Sequence, residues 1–152
     1  MRRKDKEIKD KAQIEQIIGQ AQVCHLALAA DSQPYVVPLN FGYRDGSVYF
    51  HSASQGRKID MLKANPRVCL AFSNPREIVR GATSCDWGQR FASVIAFGNA
   101  RLVENEAGKR EALDIIMAHY GGSGGDYPDK QLKITAVIEV KLAEMSGKGT
   151  VL

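Results

Sequence analysis

Apolar residues first recur at helical spacing and then alternate as in strands. Ile14, Ile17 and Ile18 fall on one face of a helix, and Asp10 with Gln13 three residues later is typical of a capping box at its N-terminus. Residues 23–30 (VCHLALAA) alternate small and larger apolar side chains and are followed by a polar turn, which predicts a strand. The start of the chain is therefore predicted to be a short amphipathic helix followed by a strand.

The next segment predicts a β-hairpin. Residues 36–43 and 47–51 are rich in β-branched and aromatic side chains, and the turn sequence RDG separates them. Pro38 lies inside the first strand and indicates an edge, a bulge or an interrupted barrel strand. Two explanations of Pro38 stay open: it blunts an exposed edge, or it leaves backbone groups of residues 37–40 free for a ligand.

Two cations follow the hairpin at the expected start of a helix. Arg57 and Lys58 precede Ile59 and Leu62, an apolar pair at helical spacing. If Ser54 is the N-cap, both cations lie in the first turn, at the positive end of the helix dipole. A bound phosphate would remove that conflict, whereas two side chains that point into water are the alternative.

The second half predicts three more strands. Residues 67–72 (RVCLAF) form a short apolar run, which indicates a strand buried on both faces. Residues 91–103 form the longest strand-like run, and Gly98 in its middle indicates a bulge. Residues 131–140 alternate and predict a final half-buried strand, after which the chain end MSGKGTVL is expected to be irregular.

The remaining segments predict a helix and a loop. Residues 106–120 carry an apolar face of Ala112, Leu113, Ile116 and Met117, and a glycine-rich connector ends the helix. Residues 74–88, which include the single tryptophan, are expected to form a loop. About six strands with short helices therefore predict a mainly β protein, an antiparallel barrel of Greek-key type.

Composition and charge limit the classes of protein to which this chain can belong. A chain of 152 residues with 44% hydrophobic content predicts one domain, residues 1–152, with a proper core. The net charge is +4, but the basic N-terminal segment lacks the aromatic residues that would stack on bases, so nucleic-acid binding is not expected. No apolar run is long enough to suggest a membrane span.

Cysteine and histidine spacing disfavours a metal site. Cys24, Cys69 and Cys85 are odd in number and form no CxxC pair, which favours a reducing cytoplasm over a disulfide framework. The three histidines lie far apart without carboxylates or cysteines at ligand spacing. No constellation for hydrolysis is visible either, so any redox chemistry must come from a bound cofactor.

The motifs, taken in order, resemble the flavin-binding split-barrel proteins related to pyridoxamine 5'-phosphate oxidase. The nitroimidazole-resistance-protein branch is the most similar, and the segments that carry the resemblance are RRKDKEI, VVPLNFGY, YFHSA followed by GRK, NPRVC and SVIAFGNARLVE. The resemblance implies a six-stranded antiparallel split β-barrel with peripheral α-helices. It also implies a homodimer, with FMN in grooves between the protomers because a small barrel has little internal volume.

The resemblance also assigns site residues. The GRK triplet would hold the FMN phosphate, the hairpin strand would bond the ring edge through its backbone, and Ser93 would reach the flavin from the second subunit. The cofactor-binding residues implied in this way are Val37, Pro38, Leu39, Asn40, His51, Ser52, Arg57, Lys58 and Ser93. His51 is also the candidate catalytic residue, as proton donor or orienting group, and a strand-end histidine bonded to backbone is the alternative.

The predicted function is an FMN-dependent oxidoreductase that reduces a small compound such as a nitroaromatic. A non-catalytic FMN- or haem-binding protein is one alternative, since related split barrels bind haem. Pyridoxamine 5'-phosphate oxidation is another. It is disfavoured because the C-terminal MSGKGTVL lacks the tryptophan and arginine of the substrate-binding segment that those oxidases carry.

Overall fold

Eight strands hydrogen-bond into one antiparallel sheet in the computed structural model, which describes residues 3–150. The strands are β1 (Glu7–Ile8), β2 (Cys24–Ala30), β3 (Gln33–Leu39), β4 (Gly42–Arg44), β5 (Ser47–Ala53), β6 (Arg67–Val79), β7 (Gly88–Val103) and β8 (Thr135–Gly149). The helices are α1 (Lys11–Gln20), α2 (Arg57–Ala64), α3 (Glu106–His119) and α4 (Asp129–Ile134), and single 3₁₀ turns lie at Lys4–Lys6 and Ser84–Asp86.

The sheet encloses one main core. Its order is β3-β2-β6-β7-β8-β5-β4, with β1 paired to β8. The strands send alternate side chains into the same cluster, where Leu26, Phe50, Leu70, Val94 and Ile138 have no exposed surface. The end strands β3 and β4 are not paired with each other in the described chain, so the barrel is split along that seam. The prediction of a mainly β, antiparallel split barrel is confirmed, with the short β1 and β4 added to the six expected strands.

The predicted hairpin is wrong in its first strand. Residues 36–39 belong to β3, which pairs with β2, and only β4 pairs with β5. Asp31 and Ser32 both have positive φ, 50° and 60°, and form the two-residue turn that folds β3 back onto β2. Strand structure is interrupted between β3 and β4, where the buried Phe41 donates its backbone N–H to the Tyr120 hydroxyl at 3.1 Å. Alternation showed which residues are extended, but not which strands are neighbours.

The RDG turn is confirmed. Asp45 and Gly46 have φ values of 49° and 79°, the pattern of a type I′ turn, and Arg44 pairs with Ser47 across it.

Several strand boundaries differ from the prediction. Strand β6 continues to Val79 and pairs with an early start of β7, so the predicted loop at 74–88 shortens to 80–87. The predicted strand at 67–72 is buried on one face only, because Cys69 and Ala71 are half-buried on the other. Residues 131–134 are helical, and the chain end expected to be irregular continues in β8 to Gly149, held between β7 and β1. Tertiary pairing extends these strands beyond their local propensity.

The bulge at Gly98 is confirmed. The register of β7 on β8 shifts between Phe97, opposite Glu144, and Gly98, opposite Leu142. A Cβ at Gly98 would collide with the Lys141 carbonyl oxygen and lie 2.9 Å from Val140 Cγ1. The position therefore requires glycine because two backbones approach closely there.

Helix signals were mostly correct. Asp10 caps α1 by accepting the backbone N–H of Ala12 at 3.0 Å, and the apolar stripe of that helix is buried as predicted. In α3 the buried face is Ala112, Ile115 and Ile116, whereas Met117 is 42% exposed, so its assignment to the apolar face was wrong. Within residues 3–150, no helix is long and apolar enough to cross a membrane.

Candidate functional site

The candidate site is built around the N-terminus of α2. Gly56 is the N-cap, with φ 117° and ψ 170°, a conformation open essentially to glycine alone. The prediction that Ser54 caps the helix is wrong, and no side chain caps it. The N–H groups of Ile59 and Asp60 bond to the Gly56 carbonyl at 2.9 and 3.1 Å. The N–H groups before them, in the first turn, have no partner within a helix and are oriented as anion donors.

Arg57 and Lys58 occupy the first turn, as predicted. Arg57 is exposed and Lys58 is half-buried, and neither forms an ion pair with a carboxylate of residues 3–150. Burial lowers the pKa of Lys58, because removing water disfavours its charged form. Asp60 lies in the same turn but makes no ion pair with either cation. Two positive side chains thus stand at the positive end of a helix dipole, where Asp60 offsets part of their charge but forms an ion pair with neither.

Arg57 has an aromatic neighbour that the sequence did not suggest. Its guanidinium lies over the ring of Tyr35, 5.0 Å from the ring centroid. Tyr35 belongs to β3, so this contact places the start of α2 beside that strand. The sequence gives no sign of this contact, because the two residues are 22 positions apart and local patterns do not show how β3 and α2 pack.

Ser52 and His51 lie at the end of β5, just before the loop that leads to α2. Ser52 is half-buried and its hydroxyl donates to the Ala53 carbonyl at 2.9 Å. His51 is exposed, opposite Val137 of β8, and its ring makes no hydrogen bond to the described residues. Val48 and Phe50 are fully buried, which confirms that His51 points away from the core.

Strand β3 contains three of the four predicted backbone residues, Val37, Pro38 and Leu39, and Asn40 follows its end. As the terminal strand it pairs with β2 on one side only, so its other edge carries backbone N–H and C=O groups without strand partners. The side chains of Val37 and Leu39 are half-buried against the core, and those of Pro38 and Asn40 are exposed. The Arg57–Tyr35 contact places the Arg57 side chain beside β3, two residues before the first of these positions.

Ser93 lies elsewhere in the protomer. It is half-buried on the outer face of β7, opposite Ser73, and its hydroxyl donates to the Lys148 carbonyl at 3.3 Å. Val36 of β3 pairs with Ala27 of β2, which in turn pairs with Cys69 of β6. Cys69 lies four residues before Ser73, the partner of Ser93. That offset is about 13 Å along the strand, and β7 is three strands from β3, about 14 Å across. Ser93 therefore lies well away, along the sheet, from the part of β3 that the Arg57 side chain contacts.

Several apolar side chains are exposed on the outer face of the sheet. Val36, Phe97 and Ile95 are 60%, 50% and 39% exposed, and Cys69 lies between the first two in the same row. A cleft of about 640 Å³ opens on this face beside Phe97. The apolar outward residues of RVCLAF and SVIAF carried this signal, but RVCLAF was predicted to be buried on both faces and no surface role was predicted for SVIAF.

No group of three or more His, Cys, Asp or Glu side chains in the described part of the chain could hold a metal ion. The candidate residues offer backbone donors, two cations, a hydroxyl and an imidazole. Such a set fits a phosphorylated organic cofactor whose ring lies along a strand edge.

Two solved structures share both fold and appreciable sequence identity with this chain. A candidate 5-nitroimidazole antibiotic resistance protein from Bacteroides thetaiotaomicron is 38% identical, with a TM-score of 0.85, over 93% of this chain and 85% of that one. The flavocytochrome Anf3 from Azotobacter vinelandii is 25% identical, with a TM-score of 0.84, over 100% of this chain and 72% of that one.

Two further matches are weaker in sequence or in coverage. An FAD- and haem-binding protein from Mycobacterium smegmatis is 17% identical, covers 95% of this chain and 73% of its own, and has a TM-score of 0.86, so it supports the fold alone. An uncharacterized protein from Rhizobium meliloti is 32% identical over 57 residues, which span 38% of this chain and only 37% of that protein.

The family model described as pyridoxamine 5'-phosphate oxidase matches residues 10–149, which include both the site around α2 and the outer face of the sheet. The chain therefore belongs to the pyridoxamine 5'-phosphate oxidase-like family.

Proposed function

We propose that this protein is a flavoprotein that binds FMN and reduces a small organic compound such as a nitroaromatic. The observation that carries the proposal is the pair Arg57 and Lys58, set at a helix N-terminus without a carboxylate partner in residues 3–150. The similarity to the candidate 5-nitroimidazole resistance protein supports the substrate class. Bound FMN would supply hydride or electron transfer, and the protein would supply binding and orientation.

The phosphate would be held by charge and by backbone donors together. Arg57 can offer two parallel N–H groups to a phosphate, and Lys58 offers a compact ammonium. The free N–H groups of the first turn of α2 add donors aligned with the helix dipole. A dianion here would also favour the charged form of the partly buried Lys58, whose pKa is lowered by burial. The Ser52 hydroxyl, at the end of β5, can turn from the Ala53 carbonyl to the phosphate.

The flavin ring would lie along the free edge of β3. Backbone groups of residues 37–40 can bond its heteroatoms, which is consistent with an edge strand left unpaired at this seam. His51 would stand at the exposed end of β5, where an imidazole can donate a proton or orient the compound that is reduced.

A second copy of the chain would complete the site. Ser93 lies far along the sheet from β3, and the apolar side chains of Ile95 and Phe97 beside it are exposed on the outer face. A symmetric dimer formed through this face would bury it and bring Ser93 of one protomer towards the flavin of the other.

The experiment is a flavin titration of the Arg57→Ala/Lys58→Ala variant. Each charge-assisted contact contributes about 1.5–3 kcal/mol, so FMN affinity should fall by at least about 100-fold while the fold is retained. Lys63→Ala is the matched control, because Lys63 is an exposed cation in the last turn of the same helix. Unchanged FMN affinity in the double variant would reject the phosphate site.

Haem binding is a second candidate, favoured by the similarity to a flavocytochrome over the whole chain. The absorption spectrum of the purified protein separates the two, since oxidised flavin and a haem Soret band differ in position. Chromatography of the released cofactor then distinguishes FMN from FAD. Turnover of pyridoxamine 5'-phosphate, assayed beside a nitroaromatic, tests the remaining alternative.

A further inference from the structure

Tyr35 contacts the candidate phosphate site from a different element. It lies on β3, is half-buried, and packs against the main core while its ring faces the Arg57 guanidinium at 5.0 Å. Its hydroxyl makes no hydrogen bond to residues 3–150, so the described contacts of Tyr35 are made by its ring. An aromatic face attracts a cation within about 6 Å of its centroid.

We propose that Tyr35 is a positioning residue that fixes the Arg57 guanidinium and thereby sets the preference for a phosphorylated flavin over riboflavin. This inference rests on the proposed function, because it needs Arg57 to bind the phosphate. Tyr35 itself would touch neither the phosphate nor the reacting atoms.

Two physical effects support this role. A free arginine side chain loses about 2 kcal/mol of rotamer entropy when it is fixed, and a contact that holds it in advance reduces the loss on binding. The ring also partly compensates the unfavourable placement of a guanidinium at a helix N-terminus. Lys58 has no such aromatic partner in the described chain, so the effect is specific to Arg57.

The test measures dissociation constants for FMN and riboflavin in the parent, Tyr35→Phe, Tyr35→Leu, Arg57→Ala and the Tyr35→Leu/Arg57→Ala double variant. The readout is the ratio of the riboflavin constant to the FMN constant, which cancels changes in how the ring is bound. Arg57→Ala should lower this ratio at least about tenfold. Tyr35→Leu should lower it about fivefold, the size of a partly exposed cation–π contact, and Tyr35→Phe should preserve it.

The double variant separates positioning from packing. If Tyr35 acts through Arg57, then Tyr35→Leu changes the ratio no further once Arg57 is alanine. A ratio lowered by Arg57→Ala but unchanged by Tyr35→Leu overturns the positioning role and leaves the proposed function intact. A ratio unchanged by Arg57→Ala removes both, because Arg57 then does not bind the phosphate. Equal weakening of FMN and riboflavin by Tyr35→Leu would assign the residue to packing alone.

Discussion

At the scale of single residues, exposure and charge distinguish the candidate site from the core. His51 is exposed at a strand end whose neighbour Phe50 is fully buried, and Arg57 and Lys58 carry charge where a helix disfavours it. The Tyr35 ring and Asp60 offset only part of the unfavourable charge placement in the free protein. Residues that cost stability in the free protein are common at binding sites, where a ligand supplies the missing interaction.

For His51 we expect a loss of turnover without a loss of binding. His51→Ala should bind flavin nearly as tightly as the parent and reduce a nitroaromatic about 100-fold more slowly, the usual contribution of a general acid. Steady-state rates are normalised to bound flavin, and Gln55→Ala, in the exposed loop nearby, is the matched control. A normalised rate equal to that of the parent would remove His51 from the catalytic residues.

At the scale of elements, the long strands β7 and β8 hold the barrel together through most of their length. Their register changes at one point, beside Gly98, where the backbones approach too closely for a side chain. The bulge lets one strand curve around the core while it keeps its partners on both sides. Strand β7 therefore depends on one glycine for geometry, in contrast to Gly88 at its start, where nothing lies within 4 Å of an added Cβ.

We expect Gly98→Ala to destabilise the protein by about 1–3 kcal/mol, because β8 must shift or the Cβ must overlap it. Gly88→Ala, in the same strand, should change the free energy of unfolding by less than about 0.5 kcal/mol. Urea unfolding of both variants measures the difference. Equal stability of the two alanine variants would show that the bulge can relax without cost.

At the scale of the whole molecule, two observations are consistent with a dimer. The outer face of β7 exposes Ile95 and Phe97, and Ser93 lies far along the sheet from β3, although both are predicted to contact one flavin. Both facts have one explanation if the site forms between protomers. A dimer of this kind would link flavin affinity to association, since each flavin would contact both chains.

Phe97→Glu tests that link. A charge at the centre of the outer face should raise the dissociation constant of the dimer at least about tenfold and weaken flavin binding at the same time. Met117→Glu is the control, because Met117 is similarly exposed, at 42%, but lies on α3. Sedimentation velocity with and without flavin gives the masses. A parent protein that binds flavin fully as a monomer would contradict the shared site.

The sequence by itself determined the elements and the type of site. Periodicity of two or 3.6 residues depends only on local side-chain placement, so most of the strands and α1 could be predicted. The RDG turn and the bulge at Gly98 were predicted from residue type, because aspartate and glycine suit a tight turn and glycine permits close backbone approach. The cations of the GRK triplet were found in the same way, because a helix start is a local signal. The N-cap of α2 was not predicted. Ser54 has a side chain that commonly caps helices, whereas Gly56 takes the N-cap position through its backbone conformation.

Only the tertiary structure decided which elements meet. It paired β3 with β2 instead of β5, continued β8 through the expected irregular end, and placed Tyr35 against Arg57. Each of these depends on contacts between residues distant in sequence, whose free energy comes from burial and strand pairing and leaves no periodic trace. The separation of Ser93 from β3 is of the same kind, because distance across a sheet follows from strand order, which local patterns do not contain.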